Sequence, residues 1–160
     1  WYVIYVRSRH EKNVYSALLD KGIDASLPMR TVVRKWSDRK KKVQLPLFRG
    51  YVFVNIDLKI DNLNVLQTSG VVKFIGIRKE PSRIPDEQIH WIHLMVAEST
   101  MVRNEKEIPV GQRVHVMTGP FKGSEGVVKR VRGKSRLVVL IESIMQAVSV
   151  DIKPEYLEKI

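Results

Sequence analysis

The hydrophobic positions in the first hundred residues form short runs separated by amphipathic stretches. The clearest run is YVFVNI, residues 51–56, which follows Arg49 and Gly50 and is apolar everywhere except Asn55. A run of aromatic and β-branched residues that is apolar on both faces is typical of a strand at the centre of a covered sheet. The opening WYVIYV, residues 1–6, has the same character. Both stretches are predicted to be buried strands.

Helical spacing of the apolar residues follows the first strand. Val14, Ala17 and Leu18 stand at i, i+3 and i+4, and Gly22 suits the residue after a helix C-terminus. The pattern predicts a helix over residues 10–21.

Two more helices are predicted further along the chain. Asp61 is a good N-cap for a short helix over residues 62–67. Pro85 suits the first turn of a third helix, with acidic residues placed well for the helix dipole. The inner face of this third helix is predicted at Ile89, Ile92, His93 and Val96.

Two further strands complete the first half. Residues 23–33 contain Pro28, which cannot donate to a β-ladder, so this strand is predicted at a sheet edge or at a bulge. Residues 71–75 predict another strand. Helices packed on a mainly antiparallel sheet, an α+β sandwich, are the fold class that this order of elements predicts.

The pattern changes after residue 97. The run ESTMVRNEKEI, residues 98–108, has no sustained period and predicts a linker. Residues 109–160 instead show short apolar runs at regular spacing between turn residues, which predicts a small all-β barrel. The predicted domains are therefore residues 1–97 and 109–160, joined by that linker.

Composition narrows the classes of function. The chain has no cysteine, so neither disulfides nor thiolate zinc sites are available. No stretch of about 18 apolar residues exists, which argues against a membrane span or a membrane partner. His90 and His93 share a helix face, but no third ligand is spaced to complete a metal site. We expect a cytoplasmic, monomeric protein that is not an enzyme and holds no metal or cofactor.

Positive charge is distributed along the chain. The net charge is +11, and residues 1–97 hold 17 basic against 9 acidic residues, while residues 109–160 hold 9 against 5. Because both parts are basic independently, the charge does not belong to a detachable tail. Nucleic acid is the commonest partner of such a surface.

The candidate nucleic-acid contacts fall into three groups. The densest is residues 34–42, the predicted loop of a long hairpin, where cations would contact phosphate and a tryptophan would stack on a base. The others lie at the first strand–helix junction and on the predicted barrel. The candidates are Arg7, Arg9 and Lys12; Arg34, Lys35, Trp36, Arg39, Lys40, Lys41 and Lys42; and Lys122, Lys129, Arg130, Arg132, Lys134 and Arg136.

Several motifs in order point to one family. The stretch VHVMTGPFKGSEGVVKRV, residues 114–131, resembles the KOW motif of transcription factors and ribosomal proteins. With WYVIY, PLFRGYVFV and GVVKFIG before it, nearly the whole chain resembles the NusG family of transcription elongation factors. Its basic character is more similar to that of specialised paralogues such as RfaH and LoaP, which act as processive antiterminators. The resemblance implies an N-terminal NusG domain followed by a KOW barrel.

The resemblance also implies partners. In the family, an apolar patch of the first domain docks on the clamp helices of the largest RNA polymerase subunit, and Tyr5, Leu47, Phe48 and Tyr51 stand at its positions. Arg7 and Thr68 agree in type with residues by which RfaH reads non-template DNA. An RNA hairpin, non-template DNA, or both are thus the expected nucleic acids.

Two alternatives bear on the second domain. The family's KOW turn offers an aromatic residue to a ribosomal protein or to Rho, but Ser124 stands there in this chain, which argues against both partners. KOW barrels also occur in ribosome-associated RNA-binding proteins, so a role of that kind is the alternative function.

Overall fold

The computed structural model describes residues 1–78, 80–98, 103–105, 111–131 and 134–160. These residues divide into two compact units, Trp1–Met29 with Pro46–Ile89, and Arg30–Leu45 with His90–Ile160. The domain boundaries predicted from the sequence stay a prediction.

Three helices and fourteen short strands make up the described residues. The helices are Glu11–Asp20 (α1), Leu58–Leu66 (α2) and Asp86–Glu98 (α3), with single 3₁₀ turns at Glu142–Ile144 and Pro154–Tyr156. The strands are Tyr2–Val6 (β1), Asp24–Ser26 (β2), Met29–Lys35 (β3), Lys40–Pro46 (β4), Tyr51–Asn55 (β5), Val71–Phe74 (β6), Gly76–Ile77 (β7), Glu80–Pro81 (β8), Arg103–Glu105 (β9), Gln112–Val116 (β10), Glu125–Val131 (β11), Lys134–Ile141 (β12), Gln146–Asp151 (β13) and Leu157–Lys159 (β14).

The first unit is built on a four-stranded antiparallel sheet. Its strand order is β2–β5–β1–β6, so the two most apolar strands of the sequence lie at the centre, which confirms the prediction for both. In the register of the central pair, Tyr5 lies directly opposite Tyr51. Strand β2 is an edge strand, and Pro28 separates it from β3 rather than lying within one strand, because proline cannot continue the ladder.

Helices α1 and α2 contribute to one core on this sheet. Alternate residues of β1 and β5 share that core with apolar side chains from both helices, as the period of two in a strand requires. The buried members include Ile4, Val6, Val14, Leu18, Val52, Val54 and Val65.

Two helix predictions need correction. Helix α2 begins at Leu58, because the carboxylate of Asp57, not Asp61, accepts the capping hydrogen bond from the Lys59 N–H at 2.9 Å. In α3, Met95 is buried and His93 is exposed, so the inner face is rotated from the predicted one.

The second unit contains a six-stranded antiparallel sheet. Its strand order is β14–β10–β11–β12–β13–β9, so this part of the chain consists of short paired strands, as predicted. The closure of this sheet into a barrel stays a prediction. Strand β9 lies within the stretch predicted as a linker and pairs with β13, so that part is not irregular. Residues 99–102 and 106–110 lie outside the described residues. Among the described helices, none is long and apolar enough to cross a membrane.

Candidate protein and nucleic-acid interfaces

Two tyrosines form an aromatic pair on the face of the first sheet opposite the α1–α2 core. The Tyr5 side chain is 39% exposed, and Tyr51 is half-buried. Their ring centroids are 5.7 Å apart with an interplanar angle of 59°. The register also places Lys73 of β6 directly beside Tyr5, so Lys73, Tyr5 and Tyr51 form a row across three strands. We call this row the tyrosine surface.

A tight turn holds Tyr51 in place. The Tyr51 N–H donates to the Phe48 carbonyl at 3.4 Å, and Gly50 has a φ of +80°, which a residue with a side chain rarely adopts. A Cβ atom at Gly50 would lie 3.0 Å from Cε2 of Tyr5. The glycine therefore permits both the turn and the close approach of the Tyr5 ring.

Leu47 and Phe48 do not belong to an exposed patch. Both side chains are 1% exposed, and the Phe48 ring packs edge-on against Phe53 with a centroid distance of 5.6 Å. The expectation that all four apolar residues share one exposed surface is corrected: Leu47 and Phe48 are core residues in this structure, because their side chains are buried at the start of the turn. Tyr5 and Tyr51 remain available at the surface.

The basic segment predicted as the loop of a long hairpin belongs mostly to the two paired strands of that hairpin. Arg34 and Lys35 end β3, and Lys40, Lys41 and Lys42 begin β4, so only residues 36–39 form the turn. The run of like charges hid the strands, since it shows no alternation between apolar and polar residues. The backbone of the turn closes with a hydrogen bond of 2.8 Å from the Trp36 N–H to the Arg39 carbonyl.

We infer the register of this hairpin from two hydrogen bonds. The Trp36–Arg39 bond and the side-chain bond of 3.1 Å from Gln44 to Thr31 agree on one antiparallel alignment. In that alignment, Lys35 lies opposite Lys40, and Arg34 lies opposite Lys41. Because side chains alternate between the faces of a strand, the cations divide into two sets. One face carries Lys35, Lys40 and Lys42, and the other carries Arg34 and Lys41.

The charges of the hairpin tip are not neutralised by the rest of the described chain. The six cations from residue 34 to residue 42 are exposed, and none of them forms an ion pair within the described residues. Like charges directly opposite each other in a sheet are destabilising. A bound polyanion would relieve that repulsion. Trp36 lies at the same tip with 58% of its surface exposed.

The cations at the first strand–helix junction are exposed too. Arg7, Arg9 and Lys12 surround a turn in which the His10 N–H donates to the Arg7 carbonyl at 3.0 Å, and Arg9 has a φ of +63°. Thr68, which resembles a DNA-reading residue of the family in type, is not exposed like these cations. It is buried, and its hydroxyl accepts a hydrogen bond of 2.9 Å from Nζ of Lys21.

Arg136 is not a surface cation. It is 3% exposed, its Nε donates to Oγ of Ser149 at 3.0 Å, and its Nη2 donates to the carbonyl of Ser149 at 3.0 Å. Its Nη1 pairs with the carboxylate of Asp151. A buried charge needs partners of this kind. The expectation that Arg136 contacts nucleic acid is therefore wrong for this structure: it joins β12 to β13.

The other predicted cations of the second unit are distributed unevenly. Lys122 is exposed, Lys129 is half-buried, and exposed Lys134 lies 3.7 Å from Asp151. Arg130 lies in β11, and Arg132 lies outside the described residues. Ser124, in the KOW-like turn, is buried and donates to the carbonyl of Phe121 at 2.8 Å.

Comparison with known protein families identifies the family of this chain. A family model described as transcription termination factor nusG matches residues 1–93, more than half of the chain. The chain belongs to the NusG family.

Relatives with the NusG name match along the whole length. A transcription termination/antitermination protein NusG from Pseudomonas aeruginosa is 28% identical and is aligned over 100% of this chain and 98% of its own length. One from Borreliella burgdorferi is 24% identical over 100% of this chain and 98% of its own. A structure titled "Domain interaction in Thermotoga maritima NusG" is similar, with 25% identity, a TM-score of 0.56, and coverage of 100% of this chain and 96% of that one.

Family membership confirms the resemblance seen in the sequence. It makes this chain a NusG-like transcription factor, and family members are transcription factors rather than enzymes. No group of three or more histidine, cysteine, aspartate or glutamate side chains suited to a metal ion occurs in the part of the chain that the structure describes.

Sequence reasoning missed two residues that form or support the tyrosine surface. Lys73 reaches the tyrosine surface only through the pairing of β6 with β1. Glu11 contacts the turn before Tyr51 across 39 residues of sequence. Neither could be found without the strand order, although an acidic residue at the start of a helix was visible.

Proposed function

We propose that this NusG-family chain is a specialised elongation and antitermination factor. It binds RNA polymerase through the tyrosine surface of its first unit and contacts nucleic acid with the β3–β4 hairpin and other basic surfaces. The observation that carries the proposal is the hairpin tip, where six exposed cations lack ion-pair partners among the described residues.

The polymerase contact rests on exposure and family membership. Tyr5 and Tyr51 present two tilted rings to solvent, and aromatic anchors of this kind dominate protein interfaces. The partner is the clamp helices of the largest polymerase subunit, as in the family. Leu47 and Phe48 contribute indirectly, because their buried side chains anchor the start of the turn in the core.

The nucleic-acid contact rests on the arrangement of the hairpin. Cations on both faces of its tip can meet phosphates on two sides, and Trp36 between them can stack on an exposed base. An RNA hairpin or non-template DNA offers both phosphates and unpaired bases. Each unit has further exposed cations that can contact phosphate, Arg7, Arg9 and Lys12 in the first and Lys122 in the second.

A direct experiment measures binding to purified polymerase and to a leader RNA hairpin separately. Tyr5→Ala with Tyr51→Ala should lower only the affinity for polymerase, and alanine at Arg39, Lys40, Lys41 and Lys42 should lower only the affinity for RNA. Leu19→Ala, which removes an exposed apolar side chain of α1, is the control. Binding to ribosomes without binding to polymerase would favour the alternative, a ribosome-associated RNA-binding protein.

A further inference from the structure

A buried carboxylate lies behind the tyrosine surface. Glu11, the first residue of α1, is 7% exposed, and it is the only buried acidic residue among those whose side chains the structure describes. Its Oε1 accepts a hydrogen bond of 2.8 Å from the backbone N–H of Gly50. None of the ion pairs formed within the described residues includes Glu11.

Burial of the Glu11 carboxylate has a cost in free energy. A carboxylate loses hydration on burial, and hydrogen bonds or opposite charge must replace it. Here the replacement comes from the Gly50 N–H and from the positive end of the α1 dipole. The carboxylate therefore links the start of a helix to a turn that is distant in sequence.

The linked turn is the one that shapes the tyrosine surface. The Gly50 carbonyl accepts a hydrogen bond of 2.8 Å from the Val6 N–H, so both polar groups of the glycine backbone are held. The Tyr5 ring lies against Gly50, at 3.0 Å from the position of a Cβ atom there. Tyr51 follows directly. A shift of the Gly50 peptide would move the support of both rings.

We propose that Glu11 is a positioning residue for the tyrosine surface. Its carboxylate fixes the turn of residues 48–51 against α1 and so sets the arrangement of the two rings that a protein partner meets. The effect of Glu11 on polymerase affinity rests on the proposed function, whereas the effect of Glu11 on the turn does not.

The test compares Glu11→Ala with Glu11→Gln in the full chain. Glutamine keeps an oxygen acceptor, so Glu11→Gln should remain within about threefold of the wild type in polymerase affinity, while Glu11→Ala should lose about tenfold or more. Exchange of the Gly50 amide hydrogen should accelerate by about tenfold or more in Glu11→Ala alone, because the hydrogen bond is lost there. Glu87→Ala removes an exposed acid from the first turn of α3 and is the matched control.

A double-mutant cycle separates positioning from general stabilisation. In a Tyr51→Ala background, Glu11→Ala should cause little further loss of polymerase affinity, because the surface that Glu11 positions is already removed. A fully additive loss would overturn the proposal. If Glu11→Ala fails to fold, Glu11→Asp replaces it, since the shorter side chain keeps the charge but withdraws the acceptor from the Gly50 N–H; unchanged Gly50 exchange and unchanged ring resonances in that variant would overturn the proposal.

The two proposals can fail independently. If the wild-type chain does not bind polymerase, the proposed function fails, and the ring resonances of Tyr5 and Tyr51 still report on Glu11. Unchanged ring resonances and unchanged Gly50 exchange in a folded Glu11→Ala variant would overturn the positioning role, whatever the polymerase assay gives.

Discussion

At the scale of single residues, two side chains of the same chemical type can have different roles, and the groups that they contact decide which. Arg136 and Lys40 are both cations in basic stretches of the sequence. Arg136 is buried with Ser149 and Asp151, while Lys40 is exposed opposite another lysine. The same charge therefore stabilises the fold at one position and is available to a ligand at the other.

Arg136→Ala should lower the free energy of unfolding by about 1.5–3 kcal/mol, because it removes the hydrogen bonds of a buried guanidinium to Ser149 and its ion pair with part-buried Asp151. Lys134→Ala is the control, since Lys134 lies near the same Asp151 but is exposed. That variant should cost at most about 1 kcal/mol. Urea denaturation measures both, and equal effects would contradict the assignment of Arg136 to the core.

Phe48→Ala and Tyr5→Ala should separate the core from the tyrosine surface. Phe48 is 1% exposed, so Phe48→Ala should cost about 3–5 kcal/mol of stability. Tyr5→Ala should leave the chain folded and weaken polymerase binding by about 2 kcal/mol, the loss expected at an interface hot spot. Thermal melting measures the stability of both variants, and a binding assay measures their affinity for polymerase. If the Tyr5→Ala variant is folded and binds polymerase as tightly as the wild type, Tyr5 is not part of the interface.

At the scale of elements, the sequence predicts most accurately where apolar residues recur. Strands β1 and β5 and helix α1 were predictable because burial of their side chains imposes a period. A long hairpin at β3 and β4 was predictable too, but not the extent of its strands into the basic segment, because cations occupy both faces of the tip. The start of α2 was missed for a different reason: Asp57 and Asp61 are equally good caps, and only the path of the backbone selects between them.

The two faces of the hairpin provide a prediction for this element. Alanine at Lys35, Lys40 and Lys42 should reduce the salt dependence of nucleic-acid binding, and alanine at Arg34 and Lys41 should do so independently. Each phosphate contact that is lost should reduce the slope of log K against log salt by about 0.7–0.9. Melting temperatures should not fall. A reduction from one set alone would show that only one face meets phosphate.

At the scale of the whole molecule, the net charge of +11 predicted the class of partner but not the residues that meet it. Both predicted domains were basic in sequence, yet Arg136 is internal and Lys134 has a carboxylate neighbour. A count of charges along the sequence does not distinguish cations that are buried and paired within the fold from cations that are exposed at the surface. The family motifs were short local stretches of sequence, and they were sufficient to identify the family.

Affinity of the full chain for a leader RNA hairpin should fall linearly with salt on a log–log scale, because bound phosphates release counterions. Titrations against the leader hairpin, an unrelated hairpin and non-template DNA at several salt concentrations measure this. Neutralising Lys122 and Lys129 should lower the slope if the second unit takes part. A flat salt response would contradict a phosphate-based interface.

The facing cations of the hairpin have a consequence for the order of this arm without its ligand. Mutual repulsion between Lys35 and Lys40 should loosen the tip at low ionic strength, and counterions should tighten it, since the screening length falls from about 10 Å at 0.1 M to about 3 Å at 1 M salt. Added salt would then protect the tip amides from hydrogen exchange while it weakens nucleic-acid binding, so the two salt responses should have opposite signs. Lys40→Glu, which converts the facing pair to opposite charges, should abolish the protective effect. The ligand and the counterions would thus compete to order the same arm.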